Sequence, residues 1–420
     1  MKVEYQNRTL VFMRIIRAKT SFEDHIVIAD FIADTWLLWI LVSVGGFLFW
    51  RGQSSQYFGY VFNRYLLALM TLLIVSGIVF SLMEVLPGDC AEKYIAYKST
   101  QGETITQADI AAERARMGLD QPLVVRWGQW VTNLTLRGDL GFSCAKRQSV
   151  NLALGDRFWM SFWFCIAALV FSYVIAVPFG ILSAFTINKD WTDKNPQNTK
   201  AERIINSIGL SLQKFIDLQL RIISYLGLAL PNFLLALTII LLYVFAGEPA
   251  PTGLFSNEFR DVPWFGEDGF DFAKLNDFLG HIWLPIFVIG WSATALQLQT
   301  VRALVVDETN KLYVDAARAR GVRGAALWAG YPVRHSISPL FNSVGFDFQR
   351  VFNDLPIVAI VIGLTDGAAL LIEALALTND QELAAAILFL VALVVISMNF
   401  ITDIVLAAID PRVRTSVMGG

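Results

Sequence analysis

The sequence predicts an all-α polytopic membrane protein with six core transmembrane helices and one extra hydrophobic helix near its N-terminus. Three observations carry this prediction. First, 55% of the residues are apolar and only 16% are charged, against roughly 25% charged in soluble proteins, and the mean hydropathy is +0.53. Second, uncharged windows approach or exceed the about 20 residues that cross a bilayer as a helix. Third, lysine and arginine concentrate in alternate loops, as expected when positive residues stay on the cytoplasmic side.

The uncharged windows are Leu66–Met83, Phe158–Asn188, Ile222–Gly247, Ile282–Val301 and Leu383–Thr402. Leu66–Met83 lies too far into the chain, with no small-residue cleavage site after it, to be a cleaved signal peptide. A sixth span, Pro339–Gly363, is interrupted by Asp347, Arg350 and Asp354. The extra helix, Trp36–Trp50, is short and bounded by Asp34 and Arg51. It either spans or lies at the interface, with its tryptophans at headgroup level. Ahead of it, Lys2, Arg8, Arg14, Arg17 and Lys19 alternate with apolar residues, which suits either an anionic membrane surface or a solvated helix.

The net charge of −3 averages two compartments. Loop 189–220 carries Lys189, Lys194, Lys200, Arg203 and Lys214, and loop 305–338 carries Lys311, Arg318, Arg320, Arg323 and Arg334. Loop 248–281 is acidic, and 364–382 has no lysine or arginine. The basic loops are therefore expected inside, with both ends of the six-span core cytoplasmic. Loop 87–157 is expected outside, since long loops translocate largely regardless of charge.

That outer loop reads as folded. Thr106–Met117 is a charged helical run closed by Gly118, Pro122 opens a second run to Leu136, and Gly138-Asp139-Leu140-Gly141 marks a tight turn. Two of the three cysteines, Cys90 and Cys144, lie in it. In an oxidising compartment they form a disulfide; the alternative is two unrelated thiols. Cys165 sits in an apolar span and reads as packing. On the other side, Ile204–Leu220 is an amphipathic segment expected along the inner surface.

No phosphate-binding Gly-x-x-x-x-Gly-Lys-[Ser/Thr] loop occurs, so the chain is not expected to hydrolyse ATP. Metal-binding and hydrolase motifs are absent too, and His25, His281 and His335 read as interfacial or capping residues. The distinctive stretch is Tyr313-Val314-Asp315-Ala316-Ala317-Arg318-Ala319-Arg320-Gly321. Arg302–Arg320 reads as one helix leaving the membrane, stopped by Gly321, where a left-handed residue is wanted. Ala316, Ala317 and Ala319 keep its last turn slim enough to enter a groove. A shorter helix is expected over Gly324–Gly330, broken by Pro332 and Pro339. On residues alone, a solvated loop and a docking helix both remain open.

Taken together, these segments resemble the dipeptide/oligopeptide/nickel family of binding-protein-dependent ABC importer permeases. Asp315-Ala316-Ala317 occupies the positions of that family's "EAA" coupling segment. Leu86-Pro87-Gly88-Asp89, Gly118-Leu119-Asp120-Gln121-Pro122, Arg137-Gly138-Asp139-Leu140-Gly141 and the closing Asp410-Pro411-Arg412-Val413-Arg414 fall in the family's order. The resemblance covers roughly 60–420. It separates an N-terminal extension, 1–60, from a permease domain, 61–420, which holds an external loop domain, 87–157, and a cytoplasmic coupling loop, 305–339. It implies six core helices of the ABC importer type in a bacterial cytoplasmic membrane.

The implied partners are a second homologous permease, two cytoplasmic ABC ATPases, an extracytoplasmic solute-binding protein and the lipid bilayer, with no nucleic acid. ATP and Mg²⁺ would be used by the ATPases, with no cofactor, metal or catalytic residue in this chain. Asp315, Ala316, Ala317, Arg318, Arg320 and Gly321 would transmit ATPase closure mechanically. Peptides or peptide-like solutes are the implied cargo. An oligosaccharide, opine or nickel chelate remains open, and an ion-coupled transporter or a membrane scaffold stands further off.

Two departures stand out. The family's Glu in the fifth core span and its following Pro-Gly-Leu-Gly-like turn are replaced by Ile360 and Asp366-Gly367-Ala368-Ala369. The same span carries Asp347, Arg350 and Asp354 where the family tends to be apolar. At spacings of three and four these charges either neutralise one another on one helix face or line a polar pathway.

Overall fold

The computed structural model describes residues 36–53, 56–85, 91–92, 106–116, 118–187, 200–260, 262, 264–266 and 269–409. The N-terminal basic segment, Leu86–Cys90 and Asp410–Arg414 lie outside them. The chain forms two compact units, one of residues 1–153 with 380–386, the other of 154–379 with 387–420.

In the first unit, α1 (Trp36–Gly52) packs on α2 (Gln56–Val85). Phe47 meets Phe58 edge-on with ring centroids 6.3 Å apart, and Phe49 lies 5.4 Å from Phe62. The extra hydrophobic helix expected at 36–50 is thus a helix of 17 residues, about 26 Å long at 1.5 Å per residue. Next come α3 (Gln107–Arg116) and α4 (Leu123–Arg137). Thr106 and Asp109 cap α3 reciprocally, with Thr106 N–H donating to Asp109 Oδ2 at 2.8 Å and Asp109 N–H to Thr106 Oγ1 at 3.4 Å. Pro122 opens α4 and left-handed Gly138 closes it, as the sequence predicts.

Trp127 Nε1 of α4 donates to Ser76 Oγ of α2 at 3.2 Å, and Arg126 pairs with Glu84 at 2.8 Å. A two-residue hairpin, β1 (Phe142–Ser143) with β2 (Gln148–Ser149), pairs Phe142 with Ser149. It hangs on Asp380 and Glu382: Ser143 Oγ donates to Asp380 Oδ2 at 2.5 Å, and Phe142 N–H to Glu382 Oε2 at 3.2 Å.

The first unit ends within α5 (Val150–Leu154), and the second contains α6 (Arg157–Ile187), α7 (Lys200–Ala229), α8 (Asn232–Ala246), a hairpin of β3 (Phe265–Gly266) with β4 (Gly269–Phe270), α9 (Phe272–Thr309), α10 (Leu312–Ala319), α11 (Gly324–Trp328), α12 (Arg334–Ile362), α13 (Gly367–Ile372) and α14 (Gln381–Ile409), whose first turn belongs to the first unit. Helices α6 and α9 pack tightly. A Cβ at Gly290 would stand 2.7 Å from the Phe171 ring, and one at Gly180 would stand 2.8 Å from Val301. Around this seam lies a core of Phe164, Leu284, Val288, Phe348, Phe352 and Leu355, closed by residues of α8 and α13.

Among the described residues, four helices are long and apolar enough to cross a membrane: α2, α6, α9 and α14. Two further spans exist only if each of two bent pairs counts as one. The expected continuous span Ile222–Gly247 is one of these, because the chain turns by 101° between α7 and α8. The cause is Pro231, which lacks an N–H, steers Leu230 away from helical geometry and itself adopts ψ 138°. The amphipathic segment 204–220 is therefore continuous with the first half of this pair.

The other bend, of 90°, separates α12 from α13. Left-handed Gly363 ends α12, with Leu364 N–H bonding back to Ala359 O at 2.8 Å. Asp366 starts α13, accepting from Ala369 N–H at 2.9 Å and from Ser161 Oγ at 2.7 Å. The departure Asp366-Gly367-Ala368-Ala369 is a capped helix start.

Candidate functional site

The segment 302–321 is two helices where the sequence predicts one. Helix α9 ends at Thr309, and Lys311 is extended before α10 begins. The break is built locally. Asn310 Nδ2 donates to Val306 O at 3.1 Å, competing with helix continuation. Glu308 accepts from both Lys311 and Tyr313, holding the chain across the turn.

Helix α10 ends as the glycine predicts. Gly321 has φ +87°, Val322 N–H bonds to Ala317 O at 3.2 Å and Gly321 N–H to Arg318 O at 2.9 Å, which is a Schellman end. Ala317 and Val322 belong to one small cluster with Val314 and Leu327. Val314 and Ala317 are fully buried; burying a valine side chain contributes about 1.5–3 kcal/mol. Ala317 is thus spent on internal packing and does not face outward with Ala316 and Ala319.

The outward face of α10 consists of Leu312, Asp315, Ala316 and Ala319, all exposed, at the i, i+3, i+4, i+7 spacing of one helix stripe. Leu312 is 85% exposed. Asp315 pairs with Arg318 at 2.9 Å, a surface contact of about 0.3–0.5 kcal/mol that sets side-chain direction more than stability. Arg320 Nη2 lies 3.4 Å from Tyr331 Oη. The inner face is clamped by aromatic contacts, with the Tyr313 ring 5.0 Å from His335 and 6.4 Å from Tyr331.

Helix α11 joins this platform to the spans. Leu327 is buried against α10, and Trp328 is buried with Ala184, Val301, Val305 and Leu340, its ring 4.0 Å from Phe185. A π-helical turn, Ala329–Val333, contains Pro332 and leads directly into α12, which itself contains Pro339. The expected breaks at both prolines do not occur: the wider turn accommodates Pro332, and Pro339 sits within the continuous helix α12.

The three charges of α12 do not form the ion pairs that their spacing allows. Asp347, 6% exposed, accepts from Tyr173 Oη at 2.6 Å, from Ser343 Oγ at 3.0 Å and from Gln297 Nε2. Asp354 accepts from Asn232 Nδ2 at 2.8 Å and Ser292 Oγ at 3.4 Å. Each carboxylate is thus held by neutral donors, some from other helices, while Arg350 is exposed on the single chain. Their spacing on one helix could not reveal those cross-helix donors.

A further buried acid was not predicted. Asp217 of α7, 6% exposed, accepts from Ser183 and from Arg302 Nε at 3.3 Å and forms an ion pair with Arg221, whose Nε lies 3.1 Å away. It ties α7 to α6 and α9. Its only sequence signal was one acidic position within an amphipathic run.

Of the cysteines, Cys144 is disulfide-bonded and Cys165 is free and buried. Cys90 lies outside the described residues.

Residues 205–415 match the family described as binding-protein-dependent transport system inner membrane component, and residues 57–162 match its N-terminal region. The chain is 27% identical over 360 residues to a protein of Brucella suis biovar 1 named for peptide permease, covering 85% of this chain and 99% of that one. It is 27% identical over 355 residues to a glutathione transport system permease protein of Escherichia coli O6:H1, covering 84% and 98%. The same-named protein of Salmonella typhi is 26% identical over 355 residues, covering 84% and 98%. Such a chain is a multi-pass membrane subunit that works with ATPase and binding-protein partners and is not itself catalytic. It belongs to the binding-protein-dependent transport system inner membrane component family, the permeases of ABC importers.

Proposed function

We propose that this permease imports peptides or peptide-like solutes across a bacterial cytoplasmic membrane. It forms half of the pathway beside a second homologous permease, with two cytoplasmic ATPases that bind ATP and Mg²⁺ and an extracytoplasmic binding protein that delivers the solute. Both ends of the six-span core face the cytoplasm. The relatives named for peptide and glutathione transport support this cargo class.

The observation that carries the reading is the two-sided build of α10. Its inner face is locked by Val314, Ala317 and the Schellman end, and its outer face offers Leu312, Asp315, Ala316 and Ala319 to a partner. A small-residue stripe with one exposed leucine suits a shallow apolar cleft. ATP-driven closure of the ATPases would push on α10, and α11 would carry the push to the spans, biasing a two-state equilibrium between inward and outward access.

The test is purification of the complex through a tag on this chain. The ATPases should co-purify with the unsubstituted chain and be lost on Leu312→Lys, with the second permease retained. Retention of the ATPases by Leu312→Lys would reject α10 as the docking element.

A further inference from the structure

The exposed residues of α12 include Asn342, Phe346, Gln349, Arg350, Asn353 and Ile357. At about 100° per residue they fall on one face roughly a quarter-turn wide. Asp347 and Asp354 lie on the adjoining stripe, where Tyr173, Ser343, Gln297, Asn232 and Ser292 take up their oxygens. Asp354 is close enough to feel the Arg350 charge, but no ion pair joins Arg350 to either acid. The exposed face thus carries a single positive charge amid amides.

Such a face does not suit lipid. Arg350 lies about 24 Å along the helix from Arg334 and about 18 Å from Ile362, at 1.5 Å per residue, too deep for its head to reach either membrane surface. An arginine at that depth costs at least about 2.5–3.5 kcal/mol against hydrocarbon. Other spans treat their exposed faces differently: α2 shows Leu66, Leu67, Met70, Leu73, Ile74 and Ile78. A single partner carboxylate would answer Arg350 but not the amides spread over about 16 Å from Asn342 to Asn353. A wetted wall answers all of them.

We infer that this face lines the aqueous pathway and that Arg350, flanked by the amides of Gln349 and Asn353, is a specificity-determining residue for a carboxylate on the passing solute. A guanidinium presents paired N–H donors matched to a carboxylate, and neighbouring amides add further donors. The inference rests on the proposed permease role and narrows its cargo to solutes that carry a carboxylate. It also implies that cationic solutes without one are disfavoured.

The test reads charge selection with thiol reagents as probe solutes in the assembled complex. Phe346→Cys, one turn before Arg350, is labelled with an anionic sulfonate and with a cationic trimethylammonium methanethiosulfonate, in the nucleotide-free and vanadate-trapped states. Leu73→Cys on α2 serves as the lipid-facing control. Phe346→Cys should react in at least one state, and the anionic-to-cationic rate ratio should fall about tenfold on adding Arg350→Gln and persist with Arg350→Lys.

An unchanged ratio overturns the carboxylate assignment and leaves the pathway placement standing. Labelling no faster than at Leu73→Cys in either state overturns the placement as well. Loss of the second permease on Arg350→Gln would show that Arg350 binds that subunit, which also overturns the inference. Co-purification of the ATPases is read separately, so failure of the permease role itself remains distinguishable from all three.

Discussion

Leu327 and Trp328 are neighbours in the chain but are buried in different clusters. Leu327 packs on Val314 and Ala317 of α10, whereas Trp328 packs among Ala184, Val301, Val305 and Leu340 of the spans. One short helix therefore grips α10 with one residue and the long helices α6, α9 and α12 with the next.

On the proposed role of α10, this arrangement would separate docking from transmission. Trp328→Ala removes a large buried ring, a change that costs about 3–5 kcal/mol in cores. It should leave the ATPases bound while solute uptake collapses. Leu327→Ala, at about 2–5 kcal/mol, should loosen α10 and lower ATPase retention. Measuring ATPase co-purification beside uptake distinguishes them, and the opposite assignment of the two losses would reject this division of roles between Leu327 and Trp328.

The alanines of α10 should behave unequally. Ala317 is fully buried, so Ala317→Leu overpacks its cluster by about 1–3 kcal/mol and should lower the thermal midpoint of the purified chain. Ala316 is exposed, so Ala316→Leu should leave that midpoint unchanged and weaken ATPase binding. Equal midpoints for the two variants would contradict the facing described above.

Asp347 organises donors from three helices. Asp347→Ala orphans the Tyr173, Ser343 and Gln297 groups, each at about 1–3 kcal/mol where no other partner is found, or nearer 0.6 kcal/mol by the average for membrane helices. Asp347→Asn keeps an acceptor. Thermal melts in detergent should rank the unsubstituted chain above Asn and Asn above Ala; a midpoint for Ala equal to that of the unsubstituted chain would remove the network's structural role.

Asp217 makes a sharper case, because Arg221 and Arg302 both point at it. Asp217→Ala leaves them without their acid; both arginines are partly solvent-exposed, so the cost falls below the about 3–5 kcal/mol of a fully buried pair. Accumulation in the membrane should fall steeply. Adding Arg302→Gln should recover part of it by removing one orphaned charge, and a further loss in the double variant would argue against the pairing.

The disulfide expected between Cys90 and Cys144 is tested by intact mass after alkylation of the denatured chain. One alkylated thiol without reductant and three with it are expected, since the sequence has three cysteines and Cys165 is free. Three alkylated thiols without reductant would dismiss the bridge. Such a bridge contributes about 2–4 kcal/mol to the segment 87–157.

Much of the segment around α10 was legible before any coordinates, for local reasons. The Gly321 stop follows from backbone sterics, and the caps at Thr106, Pro122 and Gly138 are likewise set by residues within one turn. The break at Asn310 was missed because Glu308, Lys311 and Tyr313 create it cooperatively, and no single breaker residue announces it. The continuation through Pro332 and Pro339 was missed because a wide turn and surrounding packing absorb what proline removes.

By itself the sequence determined that this chain is an apolar, helical, multi-span protein, and it marked the helix stop at Gly321 while leaving open whether the segment before it docks a partner. Both follow from transfer of side chains to hydrocarbon and from local backbone preference, which act residue by residue. Only the tertiary structure decided which alanine is spent on packing, that the expected span 222–247 bends sharply, and that Asp347 and Asp354 turn inward while Arg350 remains exposed. Those outcomes depend on what neighbouring helices present across the interface. Tyr173, Gln297 and Asn232 become acceptable partners only once their helices have packed, so no spacing along α12 could have announced them.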